Sequence, residues 1–137
     1  MKLILLLPLL FSQLQAQPPA DPTPKDVQAL IRETAEDLSN KDSRGFLDRF
    51  DPKMPGYEAL HYEIESLLAR PDVISTIEIV TDKGDNQRRE LKLDWVLSVE
   101  TERPRREVVT VRIEKQGKKW KIVALDPIEF FKLTAPP

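Results

Sequence analysis

Tyr57 and His61 stand one helical turn apart, and Asp37 lies at the edge of the inward stripe of an earlier helix. An imidazole titrates close to neutrality, so a Tyr57–His61 pair with Asp37 orienting the ring has the parts needed to move a proton. The simpler reading, and the preferred one, makes Tyr57 and His61 amphipathic rim residues with their polar tips in water. Other chemistry finds little to work with. One histidine and no cysteine leave only carboxylates as metal ligands, and no acidic cluster shows calcium-loop spacing, so no metal and no cofactor is expected. Asp82-Lys83-Gly84-Asp85-Asn86 lacks the regular alternation and distal glutamate of such a loop and reads as a hairpin turn.

These candidates sit on a chain of 137 residues that opens like an export signal. Lys2 precedes an apolar run from Leu3 to Phe11, and the small residue Ala16 marks a cleavage site. The run is about half the roughly 18 residues that a spanning helix requires, so residues 1–16 are expected to be removed, leaving no membrane span and a secreted or periplasmic protein. Taking Lys2 from 21 Lys+Arg leaves 20 against 23 Asp+Glu, a balance that argues against nucleic acid as a partner. Residues 17–24 are proline-rich and read as an extended tether. Residues 25–133 are long enough for one domain with one core, held by packing because no disulfide is available, and 134–137 form a tail.

Periodicity divides that domain into helices and then strands. Val27, Leu30, Ile31, Thr34, Ala35 and Leu38 share one face of a first helix, with Thr23 as its cap and Pro24 at its first position. Asp42 or Ser43 caps a short second helix carrying Phe46, Leu47 and Phe50, and Leu60, Ile64, Leu67 and Leu68 mark a third that Arg70-Pro71 stops. The period then becomes 2, through Ile77 and Ile79, through Leu91 to Val99, through Val109 to Ile113, and through Trp120 to Ala124. A Gln116-Gly117 turn would set Ile113 opposite Trp120, Val111 opposite Ile122 and Val109 opposite Ala124. A loop of Glu102, Arg103 and Pro104 would set Leu97 opposite Val109 and Trp95 opposite Val111. The fold class is therefore α+β, with three helices followed by an antiparallel meander of about four strands.

The first helix leading through Asn40-Lys41-Asp42 into Phe46-Leu47-Asp48-Arg49-Phe50-Asp51-Pro52, and the closing Gly117-Lys118-Lys119-Trp120-Lys121-Ile122, resemble nuclear transport factor 2-like, or SnoaL-like, domains over about Lys25 to Leu133. The resemblance implies a curved sheet wrapped around the helices as a cone with an internal pocket. Only a vestige is expected of the hairpin that relatives carry between the second and third helices, because Asp51 to Tyr57 is too short for it. Relatives use the cone for catalysis or only for binding, so fold alone does not choose between them.

The expected pocket lining is Thr34, Leu60, Ile64, Leu93, Trp95, Leu97, Val109, Val111, Ile113, Trp120 and Ile122, without an ionisable group among them. Asp94, on the opposite parity, should face away from the cone. The outer sheet face gathers Val96, Val108, Thr110, Val123 and Leu125, an apolar patch for which the resemblance implies a homodimer. Ile128, Phe130, Phe131 and Leu133 folding back over the same patch is the intramolecular alternative. Basic residues at both ends of the meander, Arg89 and Arg105 among them, read as solvated edges. The leading expectation is an exported non-catalytic domain binding a small apolar ligand or a protein. The alternatives are an isomerase, dehydratase or cyclase using Tyr57 and His61, and a structural or assembly protein of the envelope.

Overall fold

The computed structural model describes residues 23–133; the expected export signal at 1–16, most of the expected tether and the tail at 134–137 lie outside the described residues. Three helices come first, α1 (Lys25–Ser39), α2 (Ser43–Asp48) and α3 (Tyr57–Leu68). Helix α1 buries Val27, Leu30, Ile31, Thr34, Ala35 and Leu38, the stripe that its spacing predicts. Its cap differs from expectation. Pro24 occupies the cap position with no side-chain bond, and the Thr23 hydroxyl donates instead to Asp82 Oδ2 at 2.7 Å. Asp42 caps α2, its Oδ1 accepting from Gly45 N–H at 2.8 Å. Gly56, with φ of +81°, turns the chain into α3, and a Cβ there would run into Ile128.

The strands β1 (Val73–Gly84), β2 (Arg88–Val99), β3 (Arg105–Gln116) and β4 (Lys119–Asp126) form one antiparallel sheet in sequence order. The outer edge of β4 is covered. Ile122 N–H donates to Arg49 O and Asp51 N–H to Ile122 O, leaving a single parallel bridge from Phe50 where a vestigial strand is expected. Among the described residues, the outer edge of β1 has no such partner strand.

Two registers depart from the expected ones. The β3–β4 turn is made by Gly117-Lys118, Gly117 supplying φ of +67°, so that Ile113 pairs with Ile122 and Lys115 with Trp120. A bulge then sets Arg112 against Ala124 and leaves Val123 as the extra residue, which returns Leu125 to the buried side opposite Val111. Between β2 and β3 the connection is longer than three residues. Leu97 pairs with Arg105 and Leu93 with Val109, because Ser98 and Val99 pair only with β1. The slip is four residues, an even number, so each side chain keeps its expected face while changing its neighbour.

The space beneath the sheet is filled by aromatic rings. Trp95 is packed against Phe46, Phe130 and Phe131 at centroid distances of 6.5, 5.8 and 5.1 Å, and Phe46 also meets Phe50 at 4.9 Å. Phe130 and Phe131 belong to a short 3₁₀ turn, Ile128–Phe131; the carbonyls of Phe130 and of Lys132, which follows the turn, accept from Arg105 Nη1, both at 2.6 Å. The C-terminal segment therefore packs inside the cone and not over the outer face. That outer face is also less apolar than expected. Leu125 is buried, and Arg106 reaches across Val108's neighbourhood to Asp94, at 2.7 and 3.0 Å, leaving Val96 and Val108 on either side of an ion pair.

Two outcomes test this packing. Phe131→Ala removes a fully buried ring from the plug and is expected to destabilise the fold by about 3–5 kcal/mol, read as a lowered midpoint in urea; a loss under about 1 kcal/mol would place the segment outside the core. The Asp51 carboxylate accepts from Lys53 N–H and from Gln116 Nε2, both at 2.9 Å, and the Lys53 bond first, then the Gln116 bond, hold its pKa below the ordinary carboxylate value. Its stabilising contribution is fully present above about pH 3.9 and is lost as pH falls through the lower, folded value. Asp51→Asn is therefore expected to flatten the acid limb of stability against pH and to leave its alkaline limb in place.

Candidate functional site

The proton-transfer candidates are not assembled. His61 is 48 % exposed at its side chain on the outer surface of α3, where Nε2 lies 3.4 Å from Glu65, and its ring is 6.2 Å from that of Tyr57. Asp37 belongs to another network. Its carboxylate accepts from Arg49 Nε at 2.6 Å, and Arg49 Nη1 donates to Glu33 at 2.9 Å. Asp37 first, then Glu33, hold the guanidinium pKa above its ordinary value against the opposing effect of burial. This is a clasp between α1 and the segment after α2, with no imidazole in it.

The residues expected to line a cone pocket, Thr34, Leu60, Ile64, Leu93, Trp95, Leu97, Val109, Val111, Ile113, Trp120 and Ile122, are all buried in the core. Phe46, Phe130 and Phe131 pack in the same core, around Trp95. Thr34 is satisfied locally, its hydroxyl donating to Leu30 O at 2.6 Å, and Trp120 Nε1 donates to Asp26 at 3.1 Å.

A cleft of about 950 Å³ opens elsewhere, between α1 and the outer edge of β1. Ile31 and Ala35 form its helix wall, Arg32 and Glu36 its rim, and Ser75, Thr76, Ile77, Ile79, Val80 and Thr81 its strand wall. Ile77 and Ile79 have the inward parity of β1, whereas Thr76 and Val80 have the outward one, and all four line the cleft. A depression that touches both parities of one strand runs along the strand's edge and not over either face.

Both ends of the cleft are tied. At one end Ser75 N–H donates to Ser39 Oγ at 2.9 Å, and Ser39 Oγ donates back to Ser75 O at 3.3 Å. At the other, Thr23 donates to Asp82, whose carboxylate also takes Arg89 in a two-point contact at 2.8 and 3.2 Å. Arg89, expected to be solvated, is buried, and its Nη1 donates to Asp85 O at 2.8 Å. Arg105 is likewise largely covered, clamped between Glu102 and the C-terminal carbonyls. Of the cleft residues, Ile77 and Ile79 were legible as a strand. The cleft itself was not, although Ile79-Val80 breaks the alternation where a bulge shifts the pairing between Ile79 and Thr81.

No protein-family model matches the chain, and no curated protein matches it in sequence. Solved structures do match it in shape. Bd1075 of Bdellovibrio bacteriovorus superposes over 74% of this chain at 16% identity with a TM-score of 0.65; the chain spans 38% of that protein. An NTF-2 like protein of unknown function from Shewanella oneidensis MR-1 covers 73% of this chain and 93% of its own at 14% identity, with a TM-score of 0.62. Rv3472(D26N) of Mycobacterium tuberculosis, also of unknown function, covers 86% and 73% at 14% identity, with a TM-score of 0.63. With three helices on a four-stranded antiparallel sheet, and at these low identities, what the chain shares with its neighbours is the architecture: it has the nuclear transport factor 2-like fold.

Proposed function

We propose that this chain is a binding domain without a catalytic centre of its own, which takes an apolar ligand or an apolar partner segment in the cleft between α1 and β1. The observation that carries the reading is the cleft's composition. Its walls are Ile31, Ala35, Ile77, Ile79 and Val80, and its volume of about 950 Å³ lies at the upper end of the roughly 300–1,000 Å³ typical of small-molecule sites. Val80 is 56 % exposed, a large apolar side chain left to water beside two half-buried isoleucines. The ionisable groups around it are placed for structure. Asp82 is engaged by Arg89 and Thr23, while Arg32, Glu36 and Lys83 stand at the exposed rim.

Export to the periplasm or beyond, suggested by residues 1–16, fits a domain that acts by binding. The test uses an apolar fluorescent probe, anilinonaphthalene sulfonate, on the native protein. Ile77→Glu is expected to weaken probe binding about tenfold, equivalent to about 1.4 kcal/mol. Val108→Glu, on the outer sheet face, is expected to leave it unchanged. Native protein that binds no probe, or equal losses from both variants, would overturn the reading.

A further inference from the structure

The cleft exposes more than apolar side chains. Ser75's N–H and C=O both point away from β2, since both are bonded to Ser39. Backbone direction repeats every second residue along a strand, so the N–H and C=O of Ile77 and Ile79 point the same way, into the cleft. Ile77 pairs with Trp95 and Ile79 with Leu93 across the β1–β2 ladder, and no side chain among the described residues bonds their outer groups. Ser39 thus closes the edge at Ser75 and, among the described residues, leaves it open immediately beyond. An open edge beside an apolar groove is the arrangement that accepts an added strand, with backbone bonds giving affinity and alternate side chains giving selectivity.

The charge pattern indicates what that strand carries. Between Ile77 and Ile79, Glu78 projects to the outer face, where its cross-strand neighbour is Asp94. The Arg106 guanidinium bonds Asp94, and Glu78 feels it only through its charge. The bond, 2.7 Å long, together with Asp94's charge, and to a lesser extent Glu78's, holds the Arg106 pKa above its ordinary value. A second copy of this chain is a poor occupant. Paired through Ile77 and Ile79 about a twofold axis, it would set Glu78 directly opposite its own counterpart, a like-charge pair that opposes association. A basic residue at that position completes the balance.

We infer that the edge of β1 at Ile77 and Ile79 binds an extended segment of a partner protein, antiparallel, with a basic residue opposite Glu78 and apolar residues on both sides of it. The flanking side chains point to the inner side, against Ile31, Ala35, Ile77 and Ile79. Their backbone groups exchange bonds with the free N–H and C=O groups of the two isoleucines. The inference rests on the proposed binding role of the cleft and names the partner for it.

The test is amide hydrogen exchange and chemical-shift titration of the protein with a capped peptide centred on Val-Lys-Val, at concentrations up to millimolar. Exchange at Ile77 and Ile79 is expected to be fast in the free protein and slowed at least tenfold by saturating peptide. A peptide N-methylated at both valines is expected not to bind, and Glu78→Lys is expected to reverse the preference between Val-Lys-Val and Val-Glu-Val. Slow exchange at both amides in the free, dilute protein would show the edge to be closed, and protection rising with protein concentration alone would assign it to a second copy; either result overturns the inference. So does peptide binding indifferent to N-methylation, or no shift at millimolar peptide. If the apolar probe still binds in an Ile77-dependent way, the cleft remains a small-molecule site and only the strand pairing fails; if the probe also fails, both readings fall.

Discussion

The hydrogen bond from Trp95 Nε1 to Ser75 Oγ, 2.9 Å long and buried, is the constraint on which the rest of the arrangement depends. An indole set at the centre of an apolar core must satisfy its one donor, and a bond lost there costs the desolvation of that group. Ser75 satisfies it from the neighbouring strand, and Ser75's own backbone is held by Ser39 at the end of α1. Ring, edge strand and helix are thereby fixed to one another. Phe46, Phe130 and Phe131 then close around Trp95, bringing α2 and the C-terminal turn into the same core.

This constraint also separates the two places where a ligand site would be sought. Beneath the sheet, the rings gathered on Trp95 leave the core packed. Outside it, α1 is held against β1 at Ser75 and again near Asp82, and between these ties the helix and strand part to give the cleft. Accessible apolar surface lies instead at the sheet's margin, along α1 and β1. A filled interior also suits a chain without cysteine, whose stability comes from packing.

Much of the architecture was legible because it depends on periodicity. The α1 stripe from Val27 to Leu38 and the alternation from Leu91 to Val99 each have one way to bury their apolar residues. Outward-facing Asp94 follows from the same alternation. Pairing was harder, because it depends on where a turn begins. Gly117 could open or close a two-residue turn, and Ser98 and Val99 continue β2's pattern after β3 has ceased to pair with it. The cleft was illegible for a different reason. It is made by the angle between α1 and β1, set by Ser39, Ser75, Thr23 and Asp82, which are ordinary surface residue types with no periodic signal. The aromatic plug was half visible: Phe130 and Phe131 were evident as an apolar tail segment, but their side of the sheet is decided by the bulge at Val123.

That bulge has a further consequence for how such a chain can vary in length. Upstream of Val123, β4 reads in one frame, with Trp120 and Ile122 inward; downstream it reads in the other, with Leu125 inward. Deleting a single residue there would join the frames, turn Leu125 to water and misdirect the segment that carries Phe130 and Phe131 into the core. Between β2 and β3, by contrast, the partly exposed connection around Glu100 to Pro104 can lengthen or shorten with every face preserved, provided that the register moves by an even number. The bulge inside β4 and the connection between β2 and β3 therefore differ in what they tolerate: a change in chain length is absorbed in the connection, whereas at the bulge it reverses every face that follows.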